Sequence, residues 1–567
     1  MASPASQDKT RSEGSLVPKS ILALRSYNLQ KFTSDLIAGV TVGLVALPLA
    51  MAFAISSGVL PEAGLYTAIV AGFLISALGG STTQIGGPTG AFVVVVAGIV
   101  QKYGLDGLFT CTVMAGVLLV LLGVTGLGTA VKYIPRPVVI GFTNGIALLI
   151  ASTEIKDFFG LTVAKVPSDF GGRMRVLAEH FNTFSLPAIL TAGGALLLIL
   201  AMKRFTPRIP GSIVALVAGT GLAWGLKLPL ETIETRFRGI PGGLPHFHVP
   251  ALRPDLILPL LSPVLTVTML GAIESLLSAV VADRMSGDKH NPNVELFAQG
   301  VANIVSPFFG GIPATGAIAR TATNIRSGAK TPVAGMMHAV TLLVILLVAA
   351  PLAKHIPLCI LAAILFVVAY NMGEWSEIPQ ILRLSKADIS VWLITFGLTV
   401  FADLTVAVEA GMILAALLYI RKVTATTTVS KVTDEYVAQG VAHSLQFNEL
   451  PSGVAVYRIH GPFLFGAGDK LGVIEDELES LPKVVMIRLR NMTAIDGTGV
   501  QALEHLADRL KSSGRQLVLC GIRDQPQKLL GQAEFHRHIG EANIVLSLAD
   551  GIARAKEILQ PEAMQFF

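Results

Sequence analysis

Cysteine is nearly missing from this chain: there are 3 in 567 residues, at 111, 359 and 520, and none lies close to another. Such isolation leaves neither a metal-ligand spacing nor a disulfide framework, so redox chemistry finds no support. No nucleophile with a paired base, no metal cluster and no cofactor loop is visible either, which argues against an enzyme and against any metal or organic cofactor. Charge is scarce as well: Asp, Glu, Lys and Arg make up 14% of residues, where soluble domains carry about a quarter. The opening stretch lacks the apolar core of a cleavable signal peptide. It is polar and carries Lys9, Arg11, Lys19, Arg25 and Lys31, so residues 1–30 are expected to stay cytoplasmic.

Apolar surface is what the chain has in excess. Hydrophobic residues reach 52% and mean hydropathy is +0.65. Runs long enough to cross a bilayer recur from Leu36 to Ile420, among them Leu36 to Ile55, Leu108 to Leu127 and Val214 to Leu226, about fourteen in all. The net charge of +5 is not a nucleic-acid signal, because the basic residues sit in short loops beside these spans. Lys132 with Arg136, Lys203 with Arg204 and Arg208, Arg326 with Lys330, Arg383 with Lys386, and Arg421 with Lys422 follow the positive-inside rule. Both termini are then cytoplasmic and the segment count is even; the longer stretches 156–175 and 236–253 are mild exceptions. The expected location is the cell (inner) membrane, crossed many times and surrounded by lipid.

After Arg421 the texture changes to a polar link, 424–449, and then to alternating strand and helix patterns over 450–567. Val454 to Ile459, Val484 to Leu489, Gln516 to Cys520 and Ile544 to Leu546 read as strands; Val500 to Lys511, Gln527 to Gln532 and Gly551 to Leu559 read as helices. That order predicts a small cytoplasmic α/β domain behind a membrane domain spanning 31–423.

Two Gly/Pro-broken segments occupy matching places in the membrane part: Gly86-Gly87-Pro88-Thr89-Gly90 and Gly310-Gly311-Ile312-Pro313-Ala314-Thr315-Gly316. Each precedes a helix start. Paired breaks of this kind point to half-helices whose N-termini face a transporter's substrate, within repeats of about seven segments that run inverted. Two charges reinforce the reading. Glu274 is the ionisable residue between Leu256 and Ala282, and Arg320 is the first charge after the second break. Each costs about 2.5 to 3.5 kcal/mol at the centre of a membrane helix, so each faces a cavity or a partner. Arg320, one turn past Gly316, adds its full charge to the partial charge of a helix N-terminus, and an anion is expected there, held by N–H groups and by the hydroxyls of Thr89 and Thr315. Glu274 has two readings: an ion pair with Arg320 that lets both helices insert, or a carboxyl that takes up a proton in step with the anion.

The residues carry a family resemblance. Asp35 to Gly43, followed by Pro48 and Ala50 to Ala54, resembles the first membrane helix of the SulP sulfate permease family, which includes prestin and pendrin. Asn293 to Leu296, Gln299-Gly300, Asn303, Gly310-Gly311, Pro313, Thr315-Gly316, Arg320-Thr321, Asn324 and Gly328 are similar to its ninth and tenth helices. The C-terminal part looks like the STAS domain of bacterial-type members. Together the matches run from about Tyr27 to Leu559.

That resemblance implies an α-helical polytopic membrane protein of about fourteen segments in a seven-plus-seven inverted repeat. Two of the segments are half-helices, and a C-terminal STAS domain follows. Arg320 matches the anion-attracting arginine, Thr89, Gly90 and Ala91 match the start of the third helix, and Phe53 matches an aromatic lining the pocket. Glu274 matches an acidic position in the eighth helix, which in proton-coupled importers is Glu. Sodium-coupled members place an Asp and hydroxyls there; Ser278 is retained but Ile318 and Arg320 do not suit that site. Leu49 and Ala319 stand where many members have Gln and Ser, leaving more of the anion to backbone N–H groups. The function implied is secondary active transport of a small anion, sulfate first, by proton symport. The alternatives are bicarbonate or a dicarboxylate, carried with sodium or by exchange, and an uncoupled anion channel. A homodimer is expected, and a cytoplasmic partner at the STAS-like part fits equally. In that part Gly497 replaces the phosphorylated Ser of antagonist proteins, so Asp496 reads as a helix cap.

Overall fold

The computed structural model describes residues 17–24, 26–129, 135–163, 166–167, 169–206, 210–239, 242–402, 404–432 and 451–560. Lys9, Arg11, Arg25, Lys132, Arg208 and Asp403 lie outside them. The chain divides into two units, Met1–Ile413 and Leu414–Phe567.

The first unit is helical. Leu29–Ser56 (α1) and Pro61–Leu78 (α2) come first, then Gly90–Val124, which Gly104 breaks with φ 72° and ψ −173° into α3 before it and α4 after it. Only glycine adopts that backbone cheaply. Arg136–Phe159 (α5), Leu186–Phe205 (α6) and Gly211–Gly225 (α7) complete the first repeat. The second holds Ile257–Ser286 (α8), Pro292–Val305 (α9), Ile318–Arg326 (α10), Val333–Ala353 (α11), Leu358–Met372 (α12), Lys386–Phe401 (α13) and Leu404–Thr426 (α14), the last running past the end of the first unit at Ile413. Among the described residues this gives the expected fourteen segments. Among the described residues, 8 stretches are long and apolar enough to span a membrane by length and composition alone. Others fall short because protein, not lipid, surrounds them: α9 buries Glu295, Gln299 and Asn303, and α10 is a half-helix of 9 residues.

Packing follows the inversion. The fourth segment of each repeat lies against the first two of the other, α4 on α8 and α9, and α11 on α1 and α2. Small residues permit the close approach. A Cβ on Gly39 would stand 2.6 Å from the Ala334 carbonyl oxygen, and one on Gly116 2.8 Å from that of Gly300. A second bundle forms where α12 and α13 pack on α5, and α12 on α6. Asp35 does not cap the first helix: it lies within α1, whose cap is Asn28. Its buried carboxylate instead accepts from the Lys330 and Thr331 N–H groups at 2.7 and 3.1 Å, fixing the approach to α11.

In the second unit a five-stranded sheet has the order β3-β4-β5-β6-β7: Thr428–Lys431, Val454–Phe463, Val484–Ile495, Gln516–Cys520 and Ile544–Val545. Strand β3 is antiparallel to β4 and the others are parallel. Thr428–Lys431 fall inside the stretch expected as a link; their edge position leaves them polar and hides the strand from a hydrophobicity reading. Helices Gly497–Ser512 (α15), Asp524–Gln532 (α16) and Leu548–Leu559 (α17) accompany the sheet. Alternation puts Tyr457, Ile487 and Leu489 in one core with Leu503 and Leu506, and Val456 and Met486 in the other with Ile552 and Ala555. Asp496 caps α15, accepting from Gly499 N–H at 2.9 Å.

Candidate functional site

Two short strands bring the broken segments together. Gly86–Gly87 (β1) and Thr315–Gly316 (β2) pair antiparallel, with Gly86 opposite Gly316 and Gly87 opposite Thr315. The pair is framed by side chains of α8, α9 and α10. Asn303 exchanges two 2.8 Å bonds with the backbone of Ala314, Ser275 accepts from Gly316 N–H at 3.1 Å, and Thr321 accepts from Ile85 N–H at 3.0 Å. Backbone that would otherwise stand unpaired inside a membrane protein is thereby satisfied.

Half-helices α3 and α10 start from this frame. Thr89 occupies the cap position of α3 but makes no cap bond; its hydroxyl donates to Glu274 Oε2 at 2.9 Å. No side chain caps α10 either. At both starts the first N–H groups precede the intrahelical ladder, Phe92 N–H being the first of α3 to find a partner, the Thr89 carbonyl, and two such ends together favour negative charge. Gly90 faces α1, α5 and α12: a Cβ there would stand 3.4 Å from Phe53, 3.0 Å from Ile150 and 3.2 Å from Met372. Phe53 and Ala91 are buried beside it, while Ala319, on the first turn of α10, is exposed.

Arg320 is 2% exposed, and its Nη2 donates to the carbonyl of Pro88. Gly87 makes room for it: a Cβ at that residue would lie 2.7 Å from Nη1, and its φ of +150° is one that glycine tolerates. The direct Glu274–Arg320 ion pair that the sequence suggested is not formed. Pro88 and Thr89 stand between the two side chains and take one each, so the charges meet through the segment that opens α3. Thr315 also departs from expectation. Its hydroxyl is fully buried, bonded to Ser275 at 2.8 Å and donating to the Gly271 carbonyl at 3.0 Å, so it holds the frame rather than an anion. Sequence reasoning named Pro88 and Asn303 only within motifs and passed over Ser275; the roles of all three depend on contacts across the chain. The one signal was the polarity of Ser275 and Asn303 within apolar runs.

Comparison with known proteins gives three kinds of match. The sulfate permease family matches over residues 32–395 and the STAS domain over 448–551. The protein of Bacillus subtilis named "Putative sulfate transporter YvdB" is 43% identical over 520 residues, covering 91% of this chain and 96% of its own. The bicarbonate transporter BicA of Synechocystis is 30% identical over 554 residues, covering 94% and 95%. Among solved structures, the murine Slc26a9 anion transporter in its inward-facing state superimposes with TM-score 0.83 at 18% identity, covering 95% of this chain and 94% of that one. The transmembrane domain of a cyanobacterial BicA gives TM-score 0.59 at 33% identity, covering 69% and 98%.

Proposed function

The chain belongs to the sulfate permease family, and we propose that within it this protein is a proton-coupled anion symporter with sulfate as its first substrate. Secondary transport of an inorganic anion, sulfate or bicarbonate, is its activity. It is a multi-pass membrane protein with a cytoplasmic STAS domain, and it is not an enzyme.

The observation that carries the coupling is the shared segment Pro88-Thr89: one end holds Arg320 and the other holds Glu274. An anion seated at the first turns of α3 and α10, on the N–H groups of Gly90, Ala91 and Ala319 and beside Arg320, lies near the Glu274 carboxyl. If that carboxyl is ionised, two negative charges face each other in a poorly hydrated cleft; once it is protonated the repulsion is gone. By linkage, anion and proton each raise the other's affinity by the same factor. Arg320 then serves as the fixed charge, Glu274 as the proton carrier, Thr89 as the joint between them and Phe53 as the apolar wall.

Bicarbonate is the second reading, favoured by Leu49 and Ala319. Neither supplies a hydrogen-bond donor, and a tetrahedral dianion has more oxygens to satisfy than a planar monoanion. Purified protein in liposomes decides, with uptake of sulfate, bicarbonate, fumarate and chloride measured with and without an inward proton gradient. We expect sulfate uptake to rise with the gradient; if no anion's uptake responds to it, proton symport is wrong.

A further inference from the structure

Several buried polar atoms of the first unit have no hydrogen-bond partner among the described residues: Arg320 Nη1, both ring nitrogens of His338, Ser76 Oγ, Thr83 Oγ1 and Asn324 Oδ1. Native interiors leave few such atoms, and a group of them marks a place where water or a ligand belongs. Three of these groups, Arg320 Nη1, the His338 ring and Ser76 Oγ, lie along one face of α2. Ala68, Gly72 and Ser76 recur there at four-residue spacing, one above the other. A Cβ on Gly87 would sit 2.7 Å from Arg320 Nη1 and 3.5 Å from Ala68 Cα. One turn on, a Cβ on Gly72 would sit 3.0 Å from the Gly86 carbonyl oxygen and 3.8 Å from His338 Nδ1. A further turn on, Ser76 packs against Gly335, three residues before His338 on α11.

With the N-terminus inside, α2 runs toward the cytoplasm, so this face descends from the back of the anion site to the inner surface. There a cleft of about 570 Å³ opens, lined by Lys19, Thr82, Thr83, Asp288 and Thr331. Asn324 closes the gap, donating to the Thr83 carbonyl at 2.8 Å.

We infer that this face is a hydrated path from the cytoplasmic cleft, and that His338 is a positioning residue which fixes the Arg320 guanidinium through water. The inference rests on Arg320 being the anion residue of the proposed function, and it is independent of proton coupling. Nη2 is committed to Pro88, so Nη1 needs an acceptor if the guanidinium is to keep one orientation. A neutral imidazole offers one acceptor nitrogen and one donor. Ala68 and Gly72, four residues apart, are about 6 Å apart along the helix, which suits a bridging water better than a direct bond.

Uptake kinetics of the full chain in liposomes test the role, with sulfate and bicarbonate as the probes. His338→Phe should raise the half-saturating anion concentration about tenfold with the maximal rate within about twofold, while His338→Asn, which keeps an acceptor and a donor, stays within about threefold of wild type. Unchanged half-saturation in His338→Phe, or equal damage from both variants, overturns the positioning role. The path has its own test, carried out in protein whose Cys111, Cys359 and Cys520 are replaced by serine. Ser76→Cys in that background should react with a small charged methanethiosulfonate added from the cytoplasmic side; failure to react overturns the path. Absence of a gradient response in wild type would sink proton coupling alone and leave both comparisons intact.

Discussion

Arg320 makes its site by what it cannot share. A guanidinium that holds the Pro88 carbonyl and, in the proposed function, an anion needs donors in a fixed fork, and Lys offers a single ammonium instead. We expect Arg320→Ala to lower uptake at least about a hundredfold and Arg320→Lys to recover only a small part of it, as initial rates in liposomes will show. Gly87→Ala should mimic the first while the protein still elutes as a folded species, because the new methyl meets Nη1 on a backbone suited to glycine. Glu274→Gln separates coupling from binding: anion counterflow should persist while the response to a proton gradient is lost. Much of this was legible in the sequence, since a lone Glu and Arg in apolar runs have few places to be. The ion pair and the role of Thr315 were misread for one physical reason. Sequence tells which groups need partners, but the nearest partner is set by whichever segment threads between them.

Half-helices were readable because glycine and proline break helices wherever they stand together. Asp35 was not, since a carboxylate near a helix start reads as that helix's own cap. It accepts four hydrogen bonds, from Lys330 N–H, Thr331 N–H, the Thr331 hydroxyl and the Tyr27 hydroxyl. An amide at that place keeps its oxygen for the two backbone N–H groups but loses the charge that strengthens all four bonds, and both hydroxyls must turn to accept. Asp35→Asn should therefore cost about 2 to 4 kcal/mol, seen as a fall of several degrees in the apparent melting temperature in detergent. In the second unit, Cys520 closes strand β6 inside the sheet. Burial pushes its thiol up to about 11, against the opposing charge of Arg488. Because the thiolate is the reactive form, Cys520 should escape alkylation by maleimide at pH 8 until the chain is denatured, as peptide mass spectrometry will show.

At the scale of the whole membrane unit, two repeats have become two bundles. Segments α1 to α4 pack with α8 to α11, and α5 and α6 pack with α12 and α13, so neither bundle comes from one stretch of sequence. The inversion was foreseeable from an odd number of segments per repeat, but this partition was not, because it depends on small-residue faces whose partners lie hundreds of residues away. The N-terminus of α3 meets the second bundle at Gly90, so the proposed anion site lies at their boundary. Transport then requires the bundles to part on one side at a time. One hydrogen bond bears on this directly: Ser56, at the outer end of α1, donates to the buried carboxyl of Glu154, at the outer end of α5, at 2.6 Å. The bond ties the bundles on the face away from the cytoplasm, where an anion entering from outside has to pass. Cysteines in place of Ser56 and Glu154, in protein freed of its three native cysteines, make the tie covalent when joined by a short bis-methanethiosulfonate, whose disulfide bonds reductant can cleave. Cross-linking should cut uptake at least about tenfold, and reductant should restore it, because a covalent bond cannot yield as a hydrogen bond worth about 1 to 3 kcal/mol does. Undiminished uptake by the cross-linked protein would mean that the outer ends of α1 and α5 move as one body and that the entry route lies elsewhere along the boundary.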